Sequence, residues 1–210
     1  MRTSSRTVAV IVFDEVELLD VAAVLSVLGA AGRQWNYRPF KLVPVATRAG
    51  LVDTRSQLRL EARTALADCP SPELVIVPGG YGARRALADP ELVQYLERVA
   101  PTVTQFVGVG NGVLLLGRAG LTADLDVAVP AETVASLSEL SPTARPDVSA
   151  RFRESGKVIS AATAAGALDA ALHLVSKILG KKQAEIVAVS LGLSWTAGSA
   201  SDVSIVDANE

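Results

Sequence analysis

Thr104-Gln105-Phe106-Val107-Gly108-Val109-Gly110-Asn111-Gly112-Val113-Leu114-Leu115-Leu116-Gly117-Arg118-Ala119 decides the fold. Thr104 to Val109 is largely apolar, as strands buried on both faces are. Gly110-Asn111-Gly112 breaks the run, and Val113 to Ala119 resumes as a helix. Strand, sharp turn and helix in that order make one unit of a parallel sheet covered by helices. The same grammar recurs upstream. Leu74-Val75-Ile76-Val77 is a second buried-strand signal, closed by Pro78-Gly79-Gly80. Val8-Ala9-Val10-Ile11-Val12-Phe13 is a third. After it Val21, Val24, Leu25 and Leu28 fall on one helical face.

Phe40 to Ala46 reads as a further strand, and Leu51 to Ala62 as a small hairpin or edge strands. Pro90 opens a helix whose apolar face is Leu92, Tyr95, Leu96 and Val99. Val127 to Val129 reads as a strand, Leu137 to Pro146 as a helix end and loop, and Phe152 to Ser160 as two short strands joined at Ser155-Gly156. Leu168, Ala171, Leu172, Val175 and Leu179 form the clearest helical stripe, ended by Gly180. Lys182 to Leu191 is a last helix, and the Ser/Ala-rich tail from Ser194 to Glu210 is expected to be loosely held. The alternation predicts an α/β fold, a mostly parallel sheet sandwiched by helices.

Composition narrows the function classes. The chain has 210 residues, enough for one domain over 1–210 with a full core. Half of it is hydrophobic and a fifth charged, which suits a folded globular protein. A net charge of −2 offers no basic surplus for nucleic acid. No stretch of about twenty apolar residues offers to span a bilayer, and no secretory leader is recognisable, so a soluble cytoplasmic protein is expected. One cysteine, Cys69, excludes an internal disulfide framework, and one histidine, His173, argues against a histidine-based metal site. No metal or cofactor is expected.

Ligands of such sheets sit at the carboxyl ends of the strands, which directs attention to three loops. In the first, Asp20 is either a helix cap or a carboxyl general acid or base, and position alone favours the cap. Asp14, Glu15 and Glu17 read as solvated loop charges. In the second, Pro78-Gly79-Gly80-Tyr81-Gly82 is either a plain turn or a set of backbone N–H groups able to hold an oxyanion. In the third, Gly110 occupies the turn where a nucleophile elbow carries Ser or Cys. The following helix still aims N–H groups into the site, so the electrostatic half of an elbow remains without a nucleophile.

These loops, in this order, resemble the ThiJ/PfpI (class I glutamine amidotransferase-like) superfamily and its isonitrile hydratase-like branch. The resemblance rests on Leu18-Leu19-Asp20-Val21-Ala22, on Leu74 to Gly80, on Val109-Gly110-Asn111-Gly112-Val113 with Ala119-Gly120-Leu121, and on Leu168 to Val175. It spans about residues 7 to 192 and implies a flavodoxin-like fold and a homodimer. The departures are informative. The family's cysteine falls on Gly110 and the threonine after it on Asn111. Its Thr-His-Trp falls on Val129-Pro130-Ala131. Cys69 lies well before the elbow and is not that nucleophile.

The family's acid is kept as Asp20, and this turns the reading of Asp20 from cap to site residue. Covalent catalysis through position 110 is excluded, since glycine has no side chain to attack with. Glycine there also relieves elbow strain and frees volume. The expected function is therefore a small-molecule enzyme using Asp20 for acid–base chemistry: hydration or dehydration, isomerisation, or cyclisation, as in a biosynthetic tailoring step. Gly79, Gly80, Tyr81, Gly110 and Asn111 are the expected substrate-binding residues, with the N–H groups of Gly79, Gly80 and Asn111 as oxyanion donors and the Asn111 amide orienting the substrate. The alternative is a ligand-binding pseudoenzyme or regulator; direct DNA binding is not expected. Tyr81 and Trp195 are candidate pocket walls or packing residues. Asp169 and His173, four apart on a helix, are expected to pair.

Overall fold

Arg6-Thr7-Val8-Ala9-Val10-Ile11 becomes a central strand because its side chains alternate between two apolar layers. In the computed structural model, which describes residues 5–33 and 37–195, Val8 and Val10 enter one core, and Ala9 and Ile11 the other. The expectation for the tail beyond Trp195 lies outside the described residues.

The chain runs β1 (Arg6–Ile11), α1 (Leu18–Ala30), β2 (Phe40–Ala46), β3 (Gly50–Asp53), β4 (Arg59–Ala62), β5 (Thr64–Ala65) and β6 (Leu74–Val77). It continues through α2 (Ala83–Ala86), α3 (Pro90–Val99), β7 (Gln105–Val109), α4 (Val113–Arg118), β8 (Asp126–Ala128) and α5 (Val134–Leu140). It closes with β9 (Arg145–Asp147), β10 (Phe152–Ser155), β11 (Val158–Ala161), α6 (Ala164–Leu179) and α7 (Lys181–Ser190).

Seven strands form the central sheet in the order β10-β11-β7-β6-β1-β2-β5. All neighbours are parallel except the β10–β11 pair. The fold is thus the expected α/β sandwich. One face is covered by α1, α6 and α7, through Val24, Val27, Leu28, Leu172, Val175 and Val187. The other is covered by α3, α4 and α5, through Leu92, Leu96, Leu114, Leu116 and Leu137. Each fully buried Leu or Val contributes about 1.5–3 kcal/mol relative to exposure.

The hairpin read between Leu51 and Ala62 is present as antiparallel β3 and β4, outside the central sheet. β9, which pairs in parallel with β8, stands where the sequence reads as loop. Its three residues include Pro146 and two charges, so no alternation announces it. For the site, the decisive fact is that β1, β6 and β7 are adjacent and parallel. Their carboxyl ends share one edge, which gathers the three loops the sequence singles out.

Candidate functional site

The loops leaving β1 and β6 are stitched together by their own backbones. Val16 forms bridges with Thr54 and Gly80. The N–H of Glu17 donates to the Gly79 carbonyl at 2.9 Å, and the N–H of Gly82 donates to the Glu15 carbonyl at 3.2 Å. The Glu15 carboxylate pairs with Arg85 at 2.6 Å.

Asp20 lies in the first turn of α1 and is only 6 % exposed. Its Oδ2 accepts the N–H of Gly79 at 3.0 Å. It does not cap the helix. That role belongs to Glu17, whose Oε1 accepts the N–H of Leu19 at 3.2 Å. The expectation of Glu17 as a solvated loop charge is corrected accordingly, because α1 begins at Leu18 and Asp20 is already inside it. Burial pushes the Asp20 carboxyl up, the Gly79 N–H pulls it down, and the negative Glu17 raises it again, leaving it at about 6. Desolvation of the charged form is the largest of these causes.

Gly110 opens the turn after β7 with φ of +54°, a left-handed conformation that glycine adopts without penalty. A Cβ built on it would stand 3.5 Å from Asp20 Oδ2. Any side chain at 110 would therefore face Asp20. The approach of backbones is tight around it: a Cβ on Gly79 would come within 2.9 Å of Asp20 Oδ2 and the Val109 carbonyl, and closer still to Asn111 Oδ1. Only glycine fits there.

Asn111 is engaged with the loop opposite. Its Oδ1 accepts the N–H of Gly80 at 2.8 Å, and its Nδ2 donates to the Gly80 carbonyl at 2.9 Å. This corrects two expectations. The N–H groups of Gly79 and Gly80 are spent on Asp20 and Asn111, so they do not form a free oxyanion pair. The Asn111 amide latches the loop with one bond from each end, so its orientation is set by Gly80 and not by a substrate; one Nδ2 hydrogen and one Oδ1 lone pair remain.

A cleft of about 230 Å³ lies over this floor. Asp20, Gly80, Gly110 and Asn111 line it, together with Glu17. Its remaining wall is Arg84 from α2, Leu114 from α4, and Pro130, Glu132 and Thr133 from the segment between β8 and α5. Sequence reasoning singled out none of Arg84, Leu114, Glu132 and Thr133. The one available signal was the match of Val129-Pro130-Ala131 to a family motif, which pointed at this wall. Among the described residues no three His, Cys, Asp or Glu side chains cluster closely enough to hold a metal ion.

Other candidates stand elsewhere. Tyr81 is 65 % exposed, lies under the Arg55 guanidinium at 5.1 Å, and does not line the cleft. Trp195 packs against the core on the face that carries α1, α6 and α7. Asp169 and His173 do not pair with each other: Asp169 pairs with Arg151, and His173 Nε2 meets Glu154 at 2.6 Å. The partners are Arg151, just before β10, and Glu154 within it. Cys69 accepts the Tyr95 hydroxyl at 3.2 Å, remote from the elbow.

No family model matches the chain. It is 28 % identical over 184 residues to isonitrile hydratase of Pseudomonas putida, covering 86 % of this chain and 75 % of that protein. Among solved structures it is similar to an AraC family transcriptional regulator from Pseudomonas putida, with a TM-score of 0.80 and 30 % identity over 89 % of this chain and 99 % of that one. A ThiJ/PfpI family protein from Pseudomonas syringae superposes with a TM-score of 0.82 at 21 % identity, covering 94 % and 80 % of the two chains. No helix among the described residues is long and apolar enough to cross a membrane.

Proposed function

We propose, from the premise that the chain belongs to the ThiJ/PfpI superfamily, that it is a small-molecule enzyme working without a cysteine nucleophile, with Asp20 moving the proton. The observation that carries this is Asp20 itself: a buried carboxyl, poised at about 6, lining the cleft beside a residue with no side chain. A carboxyl titrating near the working pH serves in both directions, as base and then as acid. The cleft is smaller than the roughly 300–1,000 Å³ of common ligand sites, which favours a substrate of few atoms.

Addition or elimination of water is the reaction best matched to these parts, and the likeness to isonitrile hydratase supports it. Ionised Asp20 takes a proton from water as its oxygen bonds to an electrophilic carbon. The displaced π electron pair moves to the neighbouring atom, which then receives that proton from Asp20. Isomerisation or cyclisation would use the same proton traffic without water.

A second reading, a ligand-binding protein without turnover, draws on the spent N–H groups of Gly79 and Gly80 and on the likeness to an AraC family regulator. One experiment separates the two. The purified protein is incubated with the small-molecule fraction of cells and followed by mass spectrometry, beside Asp20→Asn. Consumption of a metabolite by the parent protein alone supports the enzyme. Consumption by both removes Asp20 from the mechanism, and a ligand retained unchanged by both favours the binding protein.

A further inference from the structure

Two charged side chains on the cleft wall have no partner among the described residues. Arg84 and Glu132 line the same small space, yet neither makes an ion pair or hydrogen bond among the described residues. The contrast is local: Arg85, the next residue of α2, pairs with Glu15 at 2.6 Å. Glu17, on the same wall, spends one carboxylate oxygen on its own helix and keeps the other free.

The third unpaired group belongs to a buried residue. Thr133 is 2 % exposed and lines the cleft, and its hydroxyl has no hydrogen-bond partner among the described residues. The Thr133 hydroxyl is not among the buried oxygens left without a bond; it belongs to the cleft lining, where a ligand could take it up. Asp20 adds an oxygen in the same space that Gly79 does not use.

We propose that the cleft takes a small zwitterion, whose anionic group is answered by Arg84 and whose protonated nitrogen is answered by Glu132 and Glu17. This deepens the reading of the cleft as the working site and rests on it. A purely anionic ligand would meet Glu17, Glu132 and Asp20. A purely cationic one would leave Arg84 unpaired beside it. Only a molecule carrying both charges satisfies the wall, and that opposition is a source of selectivity as much as of affinity. Leu114 and Pro130 supply the apolar surface for the few carbons between the two charges.

The test is calorimetric titration of the full chain with short α-, β- and γ-amino acids. Each is offered as the free zwitterion, as its amide (cation only) and as its N-acetyl derivative (anion only). At least one free amino acid is expected to bind, with both derivatives weaker by about tenfold or more, the scale of one charge-assisted bond. Arg84→Gln should bring the zwitterion down to its amide, and Glu132→Gln should weaken it toward the N-acetyl form. Both side chains are exposed, and unchanged melting temperatures would confirm that the variants fold. No binding across the panel, derivatives as tight as the parent, or Arg84→Gln with its preference intact would each overturn the proposal. The same titrations with Asp20→Asn keep the two readings apart. A zwitterion preference alongside turnover that survives Asp20→Asn sinks only the acid–base mechanism. Turnover lost in Asp20→Asn without any zwitterion preference sinks only this proposal.

Discussion

The side chain of Asn111 holds both polar backbone groups of Gly80, accepting its N–H at 2.8 Å and donating to its carbonyl at 2.9 Å. The pair has the form of two sheet-ladder bonds made by an amide side chain. It joins the loop after β7 to the loop after β6. Asn111→Ala loses both bonds and is expected to cost about 1–3 kcal/mol in urea unfolding. Asn111→Asp keeps the acceptor and loses the donor when ionised, and should fall between the two. Stability unchanged in Asn111→Ala would mean that the latch holds nothing.

Asp20 should make the protein less stable as the pH rises. Between 3.8 and about 6 the folded protein keeps the Asp20 proton while the unfolded chain has released it. Raising the pH through that window favours the unfolded chain, and above it the fold bears the whole cost of a buried carboxylate. The cost is roughly 2–3 kcal/mol. Asp20→Asn retains an oxygen for the Gly79 N–H without the charge. It is expected to be more stable than the parent at about pH 8, with the advantage gone by about pH 4. Denaturant unfolding of both proteins at several pH values measures the difference, in which titrating groups not coupled to Asp20, as Glu17 is, cancel.

If Asp20 is the base, turnover should follow its ionised fraction. Then kcat/KM falls about tenfold per pH unit below the Asp20 pKa and levels off above it. The measurement is a pH–rate profile on whichever substrate the metabolite screen yields. A profile flat through pH 5 to about 7 would leave Asp20 without a proton-carrying role.

Gly110 predicts a double effect. Its φ of +54° makes Gly110→Ala cost about 1–2 kcal/mol. The new methyl, 3.5 Å from Asp20 Oδ2, would occupy reaction space without a clash. Native turnover should drop in Gly110→Ala and drop further in Gly110→Cys. A rise in Gly110→Cys, with a covalent adduct visible by mass spectrometry, would instead mark a cysteine enzyme that has lost its nucleophile.

The parallel core and the three site loops are legible in the sequence because Val8–Ile11, Leu74–Val77 and Phe106–Val109 are apolar on both faces and end in turn residues. Asp20 is legible by resemblance. What Asn111 and the glycine N–H groups do is not, because a hydrogen bond between residues 80 and 111 leaves no periodic trace in either segment. Arg84, Glu132 and Thr133 escape for a related reason. They sit in a four-residue helix and a three-residue 3-10 turn, too short for any pattern to separate a cleft wall from ordinary surface. Glu17 and Asp20 show how narrow the margin is: three positions decide which carboxylate caps α1 and which is buried.

The packing of α1 on α6 bears on the order in which the protein is made. Every residue lining the cleft lies at or before position 133, but the helix that carries Asp20 rests on Ala164–Leu179. A nascent chain that has emerged from the ribosome through Thr133 owns all the cleft residues and lacks the support that seats one of them. The cleft is therefore completed in synthesis only after Ala164–Leu179 has been released.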